Sequence, residues 1–194
     1  MNGDAASQQP SQGSVQHPTP AQILLARLNE FTSSIRLVLE AKHTLPALVM
    51  LYTAIDFIGS LLRPESEADT KGAYFKKWVS EYMLVHSKAK FTAEDLWGAR
   101  CGLLHTHSPS SMLSRKGAAR QIQYFRGPLP PPMMQAIKRV EQEGKKIFVD
   151  VDILNAAFES GVRQFLDALQ RDSNLEKRVL QHSSKLFGSW TMPA

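Results

Sequence analysis

Cysteine is almost absent from this chain: Cys101 stands alone in 194 residues. One thiol cannot close an intramolecular disulfide, and it excludes the cysteine-rich zinc sites that stabilise many small folds. No histidine pair shows the H-x-x-x-H spacing by which a helix presents two imidazoles to zinc, so neither a metal nor another cofactor is expected. A glycine-rich phosphate loop, a G-x-S-x-G elbow and an internal repeat are also missing, which argues against P-loop, α/β-hydrolase and solenoid architectures.

Long apolar runs are scarce as well. The one candidate, Leu45 to Leu62, is interrupted by Tyr52, Thr53, Asp56 and Ser60. It approaches the minimum length for crossing a bilayer, but an aspartate at its middle is costly in lipid, so it reads as a buried core helix and no membrane partner is expected. No charged-plus-apolar leader opens the sequence, which predicts a cytoplasmic protein.

What is present suits one mainly all-α domain. Hydrophobic residues make up 43% of the chain, enough for a single core at this length. Residues 1–20 hold only Met1 and Val15 as larger apolar groups and are expected to form a disordered tail. Residues 21–187 are expected to form the helical domain, and 188–194 a C-terminal tail. Leu24, Leu28, Phe31, Ile35 and Val38 recur at helical spacing, and this first helix should end near Lys42. Leu45–Leu62 is apolar on nearly every side and therefore central. A third helix is expected over Tyr74–Val85, a fourth over Thr92–His105, a fifth over Asp152–Arg171 and a last one over Asn174–Phe187, opened by a Ser173/Glu176 box. Two short segments, around Ile122–Tyr124 and Ile147–Val151, alternate with period two and are expected to pair as an antiparallel ribbon inserted after the fourth helix. Prolines 128 and 130–132 break the chain between them, and Met133–Glu143 can form a short helix.

Charge is distributed unevenly. Residues 1–105 carry ten Lys/Arg and ten Asp/Glu, residues 147–194 five and six, but residues 106–146 carry eight and two. That local surplus follows the fourth helix directly, and Arg115, Lys116, Arg120 and Arg126 within it are candidates for neutralising nucleic-acid phosphates; a solvated basic loop is the plainer alternative.

The stretch FTAEDLWGARCGLLHTH, Phe91 to His107, offers the most chemistry. Thr92 and Asp95 form a helix-start box, and Arg100 and His105 close the helix. Arginine can clamp a phosphate and histidine can move a proton. Five positions apart, the two are rotated about 140° from one another at 3.6 residues per turn, yet at a helix end both can reach one groove. Asp56, a polar group in or near the core, needs a partner, and Arg100 is a candidate for it. The plainer reading pairs Arg100 with Asp56, Glu94 or Asp95 and leaves His105 to cap carbonyls. Cys101 and His105, at i and i+4, also share a helix face, although a lone helical cysteine is more often a small buried apolar residue.

A helical array whose fourth helix ends in R-x-x-x-x-H resembles the HEPN superfamily, and the text LWGARCGLLHTH resembles the segment carrying that family's motif. The resemblance spans about Ala21 to Arg171 in architecture but only Leu96 to His105 in motif. It implies a HEPN-like helical bundle, a homodimer whose two motif helices line one groove, and metal-independent RNA cleavage of toxin or defence type, with a possible antitoxin partner. Carried over, Arg100 would hold the scissile phosphate and His105 would act as general acid or base. Asp56, Asp95, Cys101 and His107 are the supporting positions. Many active members carry Asn, Asp or His directly after the arginine, where this chain has Cys101. The alternative the resemblance implies is a non-catalytic module binding nucleotide, RNA or a partner protein.

Overall fold

The computed structural model describes residues 18–67, 69–85 and 89–183. Most of the expected N-terminal tail, the whole C-terminal tail and the end of the last helix lie outside the described residues. Helix formation begins at the tail's expected edge: the Thr19 hydroxyl accepts from the Gln22 N–H, the Gln22 side chain accepts from the Thr19 N–H at 2.8 Å, and Pro20 occupies the first turn, where no amide donor is needed.

Helix α1 spans Pro20–Glu40 and buries Leu24, Leu28, Ile35 and Leu39. Helix α2, Thr44–Ser60, is central as its composition requires, with Leu51, Tyr52, Ala54, Ile55 and Ile58 essentially inaccessible. Helix α3, Gly72–Trp78, runs into a wide π turn over Val79–Met83 rather than continuing as regular helix. Helix α4, Ala93–Thr106, is opened by the expected Thr92/Asp95 box. A single turn, α5 (Met112–Arg115), punctuates the basic loop. Strand β1 (Gln121–Phe125), helix α6 (Pro131–Gln142) and strand β2 (Lys146–Asp150) lead into the long helix α7 (Val151–Arg171), and α8 covers Ser173–Ser183. The fold is mainly helical, with a two-stranded sheet.

The sheet corrects one expectation. β1 and β2 pair in parallel, Ile122 opposite Ile147 and Tyr124 opposite Val149. Parallel strands need a crossover connection, and α6 supplies it, with Pro131 and Pro132 in its first turn, so the proline run starts a helix rather than only breaking one. Ile122, Ile147 and Val149 face the core. A second correction concerns α8: its first amides, Asn174 N–H and Leu175 N–H, are both accepted by Asp172 Oδ1 at 3.0 Å, so the cap is Asp172 and not the Ser173/Glu176 box.

The core joins α1, α2, the α3/π segment and α7 around Trp78, Tyr52, Phe75, Phe158 and Phe165. Against this block sits α4, which carries the candidate site where it faces α2 and the start of α3.

Candidate functional site

Asp95 fixes where α4 begins. Besides closing the cap with Thr92, its carboxylate accepts Arg120 N–H at 2.7 Å and Arg120 Nη2 at 2.6 Å, while only 2% of the residue is exposed. Burial works to raise this carboxyl, but the hydrogen bonds from Arg120 and Thr92 outweigh it and hold Asp95 below its ordinary range.

Two residues further, Trp97 lies against the start of α3. A Cβ on Gly72 would come within 2.4 Å of the indole, so the ring rests directly on that glycine's backbone. Trp97 in turn supports Arg100, whose guanidinium carbon stands 5.1 Å from the ring centroid, a cation–π contact at i, i+3.

Arg100 is the hub. Its Nε donates to Asp56 Oδ2 at 2.6 Å, and its Nη1 stands 2.9 Å from His105 Nε2. Guanidinium has no acceptor atom, so in this contact the arginine donates and the imidazole Nε2 accepts. The rotation between the two positions does not separate them, because α4 ends at Thr106 and the long arginine side chain reaches along the last turn. Asp56 and Arg100 are both partly shielded, with side chains 22% and 20% accessible. Burial pushes the Asp56 carboxyl above its ordinary value, and the Arg100 bond opposes that rise. A cleft of about 350 Å³ opens beside the cluster, lined by Thr53, Asp56, Phe57, Lys71, Trp97 and Arg100.

Cys101 is half-buried, and burial pushes its thiol up despite the neighbouring Arg100, so at neutral pH it is a thiol and not a nucleophilic thiolate. His107 takes a left-handed conformation, φ 48°, as the C-cap of α4, and the next amide, Ser108 N–H, reaches back to Gly102 O at 3.2 Å. Its role is to turn the chain away from the helix.

The four basic candidates divide evenly. Arg115 and Lys116 are exposed. Arg120 is bound to Asp95 and to Lys90 O, and Arg126 donates to Asp152 Oδ1 at 2.9 Å and to the Leu39 carbonyl at the end of α1. The latter two are staples between elements. Sequence reasoning missed Trp97, Lys71 and Gly72 as parts of the cleft. For Trp97 a signal existed, since an aromatic three residues before an arginine on a helix lies within its reach. Among the described residues no group of three His, Cys, Asp or Glu side chains is arranged to hold a metal ion. Set against family models, curated proteins and solved structures, the chain matches none of them.

Proposed function

We propose that the Arg100–His105 pair cuts RNA without a metal, as a HEPN-like endoribonuclease that works as a homodimer. The single observation behind this reading is the 2.9 Å contact between Arg100 Nη1 and His105 Nε2 at the end of α4, with Asp56 holding the guanidinium from the other side. An entering phosphate takes over arginine donors and releases the imidazole lone pair. The freed Nε2 accepts the proton of a neighbouring 2′-hydroxyl as its oxygen forms a bond to phosphorus. The bond from phosphorus to the 5′-oxygen breaks, and that oxygen needs a proton in turn. One imidazole cannot give and take in the same step, so the second copy's histidine, carrying an extra proton as imidazolium, supplies it across a shared groove and is left neutral. Proton transfer of this kind contributes about a hundred- to ten-thousandfold in rate. A toxin or defence role, with a small antitoxin protein covering the groove, and a cytoplasmic site of action belong to the same proposal.

A second reading, a non-catalytic module that binds nucleotide, RNA or a partner protein, is favoured by two features. Asp56 and His105 already occupy two of the Arg100 nitrogens, and the following residue is Cys101, a weak hydrogen-bond partner. Incubating the full chain with RNA in EDTA separates the two. Cleavage that persists in chelator and drops at least a hundredfold in both Arg100→Ala and His105→Ala supports the nuclease. Binding without cleavage supports the module, and equal cleavage in the variants removes the site assignment.

A further inference from the structure

A second, larger cleft of about 730 Å³ opens at the other end of α4. The parallel register builds it: Lys146 stands opposite Gln121, and Gln121 N–H donates to Lys145 O at 2.9 Å, which brings the start of β2 beside the end of α5. Arg115, Arg120, Lys145 and Lys146 therefore line one concavity. None of Arg115, Lys145 and Lys146 forms an ion pair with a described carboxylate, and each is exposed. Of the carboxylates around the rim, Glu94 is taken by Lys76 and Asp95 by Arg120, leaving Glu143.

Arg120 makes this more than a basic surface. Its Nε and Nη2 are held by the buried Asp95, and Nη2 also reaches Lys90 O, so the guanidinium is fixed in place while Nη1 takes no part in those bonds. A guanidinium oriented by a buried carboxylate loses little freedom when it binds an oxyanion. At the rim, Gly117 and Gly144 take φ of +71° and +72°, and a Cβ on either would meet nothing within 4 Å, so both approaches are open. Among the described residues, no aromatic side chain lines the cleft. Single-strand nucleic-acid sites hold bases by stacking on aromatic rings. A cleft with convergent cations and no ring suits the phosphates of a ligand and not its bases.

We infer that this cleft binds a condensed phosphate, the diphosphate or triphosphate group of a small ligand, between Arg120 and Arg115 on one side and Lys145 and Lys146 on the other. The site is independent of Arg100 and His105. Titration of the full chain with pyrophosphate, tripolyphosphate and orthophosphate, and with a short homopolymeric RNA, tests it calorimetrically. Expected is saturable one-to-one binding of pyrophosphate or tripolyphosphate, much stronger than that of orthophosphate. Lys145→Glu with Lys146→Glu should weaken it at least tenfold, and Arg115→Ser should weaken it less. These side chains are exposed, and the Gln121 bond uses the Lys145 carbonyl, so an unaltered melting temperature in the variants shows that the fold persists. Overturning results are binding of RNA with none of pyrophosphate, which makes the cleft a backbone track, equal affinity in wild type and the charge-reversed variant, or no binding at all.

Discussion

Asp95 serves three donors with one carboxylate: the Thr92 amide, the Arg120 amide and the Arg120 guanidinium. Because these bonds hold its pKa below the ordinary value near 3.8, the stability it contributes is present above that pH and is lost as pH falls through the lower folded value. Asp95→Asn should therefore cost about 3 kcal/mol at pH 7, the scale for breaking a buried charged pair, and less at about pH 3, below the ordinary carboxyl value. Urea melts at the two pH values check this, and an equal loss at both would refute the assignment. Asp56 has the opposite sign: its raised carboxyl contributes fully below the ordinary value, and that contribution declines as pH rises through the folded one. The cap at Thr92–Asp95 was legible, being three residues apart. The Arg120 bond was not, because it joins positions twenty-five apart and depends on where β1 begins.

Among the elements, α7 and the π turn explain each other. A glycine inside a long helix weakens it, yet a Cβ on Gly161 would stand 2.9 Å from Met83 Cα and 3.0 Å from the Trp78 ring. The wide turn at Val79–Met83 pushes its backbone onto that bare spot. Gly161→Ala should gain about 1 kcal/mol of helix propensity and lose more to the clash, for a net destabilisation of about 1–3 kcal/mol. A raised melting temperature would contradict this packing. Periodicity located every long helix, because burial of one face repeats each turn and the sequence records it. The pairing direction of β1 and β2 left no such trace. Alternation is the same in both arrangements, and only the helical crossover between Pro131 and Gln142 decides for parallel. Lys145 and Lys146 escaped notice for that reason, while Arg100 and Asp56 were visible because a charged residue in an apolar helix must find a partner.

At the scale of the molecule, the helical block and the β1–α6–β2 unit are joined through a buried hydroxyl pair, Tyr52 on α2 and Tyr124 on β1. Burial raises both phenols well above their ordinary value, so each stays protonated. Removing one leaves the other without its partner, at about 1–3 kcal/mol, whereas removing both leaves no orphan. Tyr52→Phe, Tyr124→Phe and the double variant should thus be strongly non-additive in a chemical-denaturation cycle, the double variant losing less than the sum. Additive losses would mean that the pair does not couple the two units. The crossover also orders events on the ribosome. The segments that supply Asp56, Arg100 and His105 leave the exit tunnel early, but β1 stays without its strand partner until α6 and β2 have followed, so the cleft lined by Lys145 and Lys146 is the later of the two to be synthesised in full. A nascent chain thus possesses Arg100 and His105 before it possesses Lys145 and Lys146.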